Sequence, residues 1–506
     1  MILWALKQFL GSQARRVHES MWNPRQAQVE TYQRLKGLLG GSLFAAQAGF
    51  DVCRSLEDCR GLPASDGESM KPLFTRVFEQ GAAAGPVFGR SRLFGFGRTS
   101  GTLGEPKNLP LHRAYLDSLD RTLVRLVASH VHTSGAWDTL LTGKHIMLGS
   151  RPRCGTSPTG LPICDISGLA ATRTSWAARF LNIPRHRDLW IEDWPVKAER
   201  ILEQARGQQV VSISGIPALA ADLVRRARAK YQVTHLDAVW PQLRHYIYGG
   251  THLTSSQREE INTSWFKSDR RLNFYETYFS TEGPLAFSYE QNQEGLALNT
   301  LENLYLFRPC SGDGAFLFAD ELQPGGLYSI HVTTPGGLVN YRMGDRIEVV
   351  STRPLLIRVA GREAEELSMT GEKITLAQID LALSAVGLDA AAFRTHLPVV
   401  WVEESEPPRL VWGVPASSDL EEDPAWAPRL DQALCKLNIL YAEALLREQV
   451  IGSSRVVLIP MSVFAKAKDS RLGVSQFKAR RMFNSQAEFA AAYPFVETPS
   501  SPTGDG

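Results

Sequence analysis

The sequence predicts an α/β protein in two parts: a large N-terminal α/β domain carrying an antiparallel β-subdomain, then a smaller, mobile C-terminal α+β domain. Three observations predict it. Strand-like and helical runs alternate up to the glycine pair at Gly249-Gly250, closely spaced short strands follow between Leu327 and Ala360, and a second mixed set of elements comes after Gly361. A chain of 506 residues, 43% of them apolar, is long enough to bury more than one core.

The elements follow in order. Between Pro24 and Leu39, residues Val29, Tyr32, Leu35, Leu38 and Leu39 recur at helical spacing and mark a packing helix. Lys144 to Leu148 and Val210 to Ser214 read as strands, and Gly215-Ile216-Pro217 then opens an amphipathic helix through Tyr231. Leu243 to Tyr248 is a further apolar run ending in Gly249-Gly250, a strand end where backbone can approach a ligand. Short strands follow at Tyr328 to Thr333, Leu338 to Arg342, Arg346 to Val350 and Leu355 to Ala360, with a turn at Pro335-Gly336-Gly337. The domain boundary falls there, giving domains 1–360 and 361–495 and a disordered tail 496–506 rich in Pro, Ser and Gly. In the second domain Thr375 caps a helix bearing Leu376, Ile379, Leu381 and Leu383. Strands at Val399 to Val402, Leu410 to Val414 and Arg455 to Ile459 surround a helix from about Leu430 to Leu446.

Charge excludes some functions. A net charge of +2 with interspersed signs gives no nucleic-acid footprint, so affinity for a polyanion has to be local. Met1 to Leu10 is apolar, but Lys7 interrupts it and Gln13-Ala14-Arg15-Arg16 follows without a cleavage-like site, so it reads as the start of an amphipathic helix. No apolar stretch reaches the roughly 18 residues of a membrane span, and a cytoplasmic monomer without membrane or nucleic-acid partners is expected. The six cysteines form no Cys-x-x-Cys pair. His130 and His132 could face one way on a strand, but no third ligand stands at a metal-site spacing.

The chemistry lies in five segments. Thr99-Ser100-Gly101-Thr102-Leu103-Gly104-Glu105-Pro106-Lys107 packs hydroxyls, glycines and a lysine into nine positions. Such a stretch is often a solvated loop, yet it is also what a phosphate cradle requires: close backbone approach, N–H and hydroxyl donors, and a cation. Its lysine comes last, after a proline, which is wrong for the common P-loop. Tyr275 to Gly283 is an aromatic strand running into a hydroxyl-rich turn. It reads either as a plain strand edge or as a nucleotide contact, with Tyr278 beside a flat ring, Ser280 and Thr281 donating to phosphate, and Glu282 holding magnesium. Asp345, just past Gly344, either caps a turn or accepts from both hydroxyls of a ribose. Arg362 is a surface charge or a flexible arginine at the boundary. Lys478 stands in a basic loop, Leu472 to Arg481, that could equally be a solvated charge run.

In this order the segments resemble the adenylate-forming superfamily of acyl-CoA synthetases, luciferases and adenylation domains. Within it the closer resemblance is to the Gretchen Hagen family of acyl acid amido synthetases, from about Pro24 to Phe495. It is carried by Gln26 in the N-terminal helix, Gly215-Ile216-Pro217, Gly249-Gly250, Thr333-Thr334-Pro335-Gly336-Gly337-Leu338 before Tyr341-Arg342, and Gly371-Glu372-Lys373. Thr281 departs from the family's pattern, where Ser is typical, and Ala479 stands where the family carries a different residue.

The resemblance implies an enzyme using ATP and Mg2+. A carboxylic acid becomes an acyl-adenylate, and an amine, by family habit an amino acid, then displaces AMP. Thr99, Ser100, Gly101, Thr102, Lys107, Tyr278, Ser280, Thr281, Asp345 and Arg362 would bind ATP. Glu282 would hold the metal, and Lys478, Glu282 and Thr102 would be catalytic, Lys478 being carried in by rotation of the small domain. The alternatives are an acyl-CoA synthetase or carrier-loading adenylation enzyme and, from another class, an inactive nucleotide-binding scaffold. The acyl pocket is unread, with Leu116, Leu119, Leu123, Leu126, Tyr248 and Thr251 as candidate lining.

Overall fold

The computed structural model describes residues 2–99, 107–149, 152–173, 178–250, 252–267, 269–310, 314–362, 366–367, 369–370, 374–388, 393, 396–416, 423–447, 449–464 and 480–493. These fall into two compact units, one reaching to Ala360 and the other beginning at Gly361.

The first unit is built on three sheets. Its seven-stranded sheet has the spatial order 297–298, 284–287, 273–279, 245–249, 210–214, 144–147, 182–183. The strands from 182–183 through 273–279 run parallel, and the last two pair antiparallel. The helices Trp194–Ala205 and Pro217–Tyr231 lie between its parallel strands in sequence. Asp193 caps the first of them by accepting from Val196 N, and Pro217 starts the second, where its fixed φ suits the first turn. A smaller sheet, 108–112, 93–98, 162–164, 155–156, is built around a hairpin, and a third has the order 304–309, 327–333, 341–352, 355–362.

Two sequence expectations are corrected here. Leu338 to Arg342 and Arg346 to Val350 are not separate strands, because Tyr341–Thr352 is one strand that passes through Gly344 at φ +73 with a register shift opposite Ser329 and His331. The glycine supplies the left-handed backbone that such a bulge needs. His130 and His132 lie on the helix Arg113–Ser134 rather than on a strand. His130 is buried with its ring 3.7 Å from that of Tyr275, and burial pushes its pKa down to about 3.

Polar groups lock the N-terminal helix Pro24–Leu39 in place. Gln28 donates to the carbonyls of Thr300 and Asn303 and accepts from Tyr305 N, while Thr31 donates to Thr300 O at 2.7 Å. One turn on, Arg34 reaches Glu302 at 3.0 Å, where Arg121 and Arg125 also converge at 2.7 and 2.6 Å. Glu302 is fully buried. Burial alone would raise its pKa, but the bond from Arg121 and the charges of Arg34 and Arg125 outweigh it and bring the pKa down to about 2.

The second unit holds the sheet 452–460, 409–416, 399–403, 482–483 and the helices Leu376–Ala385, Trp426–Leu437 and Gln486–Ala492. Thr375 and Gln378 form a capping box at the first helix, and Leu381 on it is 56% exposed rather than packed. The helix expected from Leu430 to Leu446 is interrupted at Asn438, whose side chain accepts from Tyr441 N and starts a new turn, Ile439–Ala442. No helix among the described residues is long and apolar enough to cross a membrane. The tail 496–506 lies outside the described residues.

Glu302→Gln strands three guanidiniums around a neutral amide. It should cost about 3–5 kcal/mol, read from the denaturant midpoint. Because the folded pKa of Glu302 lies below its usual value of 4.5, its contribution is present above that pH and is lost as pH falls toward 2. The parent should therefore lose part of its advantage over Glu302→Gln between neutral pH and pH 3, and an unchanged gap would contradict the assignment.

Candidate functional site

The two ends of the cradle segment, Thr99 and Lys107, adjoin a pair of antiparallel strands. Strand Leu93–Arg98 pairs antiparallel with Asn108–His112, Arg98 opposite Asn108. Beyond that pair, Thr99 N donates to Lys107 O at 2.9 Å and Lys107 N donates to Thr99 Oγ1 at 2.8 Å. Thr99 and Lys107 are thus tied together, and Ser100, Gly101 and Thr102 lie outside the described residues. Lys107 Nζ pairs with Glu68 Oε1 at 2.9 Å, and that bond holds the Glu68 carboxyl below its usual range.

A turn is seated against this strand pair. Strands Asn273–Phe279 and Pro284–Phe287 are joined through residues 280–283, with Ser280 N and Oγ both donating to Gly283 O, at 3.0 and 3.3 Å. Thr281 is buried and donates to Arg98 O at 3.3 Å. A Cβ on Gly97 would come within 2.6 Å of Thr281 Cγ2, so the glycine makes room for the threonine. Both hydroxyls expected to donate to phosphate are bonded inside the protein here, where they shape the turn and fix it to the hairpin.

Glu282 follows, half-buried. The Tyr115 phenol, on the helix Arg113–Ser134, donates to Ser280 O at 3.4 Å. Burial pushes the pKa values of Tyr115 and Tyr341 upward, and the charge of Glu282 adds to the rise in both. Tyr115 and Glu282 also line one small cavity. Among the described residues no group of three or more His, Cys, Asp or Glu could hold a metal ion. A single carboxylate such as Glu282 fits magnesium, which takes one or two carboxylates and completes its shell with phosphates and water.

At the other end of the turn, the Tyr278 phenol donates to Asp345 Oδ2. Asp345 is 6% exposed and lies within the bulged strand, not in a turn as expected from the glycine before it. This side-chain bond between two sheets joins the aromatic ring and the acid that the sequence offered for a nucleoside. Arg362 ends strand Leu355–Arg362 and belongs to the second unit. Lys478 and the segment Gly371-Glu372-Lys373 lie outside the described residues.

The candidate acyl lining is mostly core. Leu116, Leu119 and Leu126 are buried in apolar clusters. Tyr248 is 1% exposed, donates to Glu276 at 3.1 Å and accepts from Arg258 at 3.0 Å, so it belongs to a buried polar network that also takes in His252. Thr251 lies outside the described residues. Sequence reasoning missed Tyr115, Glu68 and Gly97, whose parts depend on contacts distant in the chain.

The profile of the GH3 family central domain matches residues 305–362, which include Tyr341, Asp345 and Arg362. No curated protein matches the chain by sequence. Among solved structures, the GH3.15 acyl acid amido synthetase is similar with a TM-score of 0.74 at 14% identity, over 94% of each chain. A structure of AtGH3.15 acyl acid amido synthetase in complex with 2,4-DB gives a TM-score of 0.68 at 14% identity, over 98% of this chain and 96% of that one. Residues 305–362 thus resemble a GH3 central domain, in a chain that has the fold of the acyl acid amido synthetases.

Proposed function

We propose that the protein is an ATP-dependent acid–amine ligase, which activates a small carboxylic acid as its acyl-adenylate and passes the acyl group to an amine, an amino acid, releasing AMP and pyrophosphate. One observation carries the reading: five consecutive residues, Tyr278 to Glu282, join the antiparallel strand pair at one end to Asp345 at the other. The GH3 central segment and the AtGH3.15 complex, which holds an acid, support it. None of the six cysteines forms a disulfide, which suits a reducing cytoplasm, and we take the enzyme to act there as a monomer.

In the first half-reaction a carboxylate oxygen attacks the α-phosphorus and the bond to pyrophosphate breaks. Anion meets polyanion, so cationic and hydrogen-bonding groups must neutralise the transition state. Backbone and hydroxyls of Thr99 to Thr102, with Lys107, would hold the β and γ phosphates. Asp345, oriented by Tyr278, would accept from the ribose hydroxyls, with the Tyr278 ring beside the adenine. Glu282 would hold magnesium, which supplies positive charge to the phosphate oxygens. Arg362 and Lys478, on the smaller domain, would reach the α-phosphate as that domain turns about the Gly361 boundary, a lid-type motion. In the second half-reaction the amine nitrogen attacks the acyl carbon, the bond to AMP oxygen breaks, and nitrogen gives up a proton.

A mass-spectrometric screen with ATP, mixed carboxylic acids and amino acids should yield amide and AMP. Thioester formed only with coenzyme A, or no turnover at all, would reject the reading. Lys478→Ala should slow ATP–pyrophosphate exchange about 100- to 1000-fold with the fold intact. Asp345→Ala should weaken ATP binding by about 1.5–3 kcal/mol, seen as a raised Kd in calorimetry, and a Kd like the parent's would remove Asp345 from the nucleotide site.

A further inference from the structure

The turn Thr333 to Leu338 contains a hydroxyl that the fold itself does not use. Thr334 is fully buried, its N–H donates to Leu338 O at 3.0 Å, and its carbonyl accepts from Gly337 N at 3.0 Å. The backbone is closely packed there: Gly337 has φ +102, and a Cβ on it would lie 1.9 Å from Phe88 O. The side chain is different: Thr334 Oγ1 has no hydrogen-bond partner. A buried hydroxyl left in that state is costly unless something outside the protein completes it.

Thr334 faces a small cavity that it shares with Glu282. Phe74, Phe88, Leu109 and Leu338 give the cavity apolar walls. Of its other polar side chains, Thr281 is bonded to Arg98 O and Tyr115 to Ser280 O. Its volume is about 10 Å³, at the lower edge of the roughly 10–15 Å³ that one water needs. The Thr334 methyl also lies close to Gly283, 3.7 Å from where a Cβ would stand, so the threonine is held beside the turn that carries Glu282.

We propose that Thr334 is a positioning residue for Glu282: its hydroxyl, through one ordered water, holds the carboxylate in the orientation in which it takes the metal of a metal–nucleotide substrate. This rests on the function proposed above. The water accepts from Thr334 and donates to Glu282, so the buried hydroxyl is satisfied and the carboxylate is oriented by one bridge. A merely structural hydroxyl would affect folding alone, whereas this arrangement makes its effect depend on metal.

The test is calorimetric ATP binding to the full chain, with magnesium and with chelator, for the parent, Thr334→Val and Thr334→Ser. Valine keeps the shape and removes the hydroxyl, and it should raise the Kd for magnesium–ATP about tenfold, as expected for a lost bond to a charged group. Serine should restore most of that loss, and with chelator all three should bind alike. A valine variant that binds magnesium–ATP like the parent overturns the proposal, as does an equal loss with and without metal or a serine variant no better than valine. Should valine fold poorly, a high-resolution crystal structure of the parent decides: a water bridging Thr334 Oγ1 and Glu282 supports the proposal, and a dry cavity overturns it. Failure confined to the variants leaves the ligase reading standing, while a parent that binds no nucleotide overturns both.

Discussion

The site depends on one seat: the Thr281 side chain lodged against Gly97 and bonded to the Arg98 carbonyl. Thr281 lies at the end of the seven-stranded sheet, while Gly97 and Arg98 belong to the hairpin of a different sheet. Tyr278, three residues earlier, bonds Asp345 in the third sheet. Three sheets therefore converge on a span of five residues. Each contact fixes the next, because a strand in register has only one way to present alternate side chains. A glycine at 97 and a threonine at 281 are complementary shapes, and the departure from the family's serine brings a methyl that fills the space the glycine leaves.

Around this seat the first unit uses buried charge as a brace. Glu302 takes three arginines from two helices, and the same segment accepts from Gln28 and Thr31 of the N-terminal helix. Such a junction adds little over a well-packed apolar one, but it is intolerant of losing a partner, which favours one arrangement over its neighbours. The helix that supplies Arg121 and Arg125 also supplies Tyr115. The brace thereby holds the phenol that leans on Ser280 and shares a cavity with Glu282.

Much of the fold was legible because its signals are local. Pro24 to Leu39 has helical spacing and a proline at its first turn, and the structure gives that same helix. Val210 to Ser214 and Pro217 to Tyr231 likewise follow from apolar runs and a proline start. What failed was local signal that bends: Gly344 looks like the end of a strand and is a bulge within one, and Asn438 breaks a continuous apolar stripe by capping a new turn. The candidate site residues were legible in type, but their contacts were not. Tyr278, Glu282 and Asp345 stood out as aromatic and acidic residues near turns, but nothing nearby announces that Tyr278 reaches a partner 67 positions away, or that Arg34 meets Glu302 across 268. Such pairings come from topology, which no short window of sequence contains.

In the proposed reaction the acid's own oxygen attacks the α-phosphorus. This step is tested most directly by supplying a turned-over acid with its carboxylate labelled in 18O and weighing the nucleotide product. The account requires AMP carrying one labelled oxygen per amide formed, since the carbon–oxygen bond breaks only when nitrogen arrives. AMP without label, or label found in released phosphate beside ADP, would contradict it.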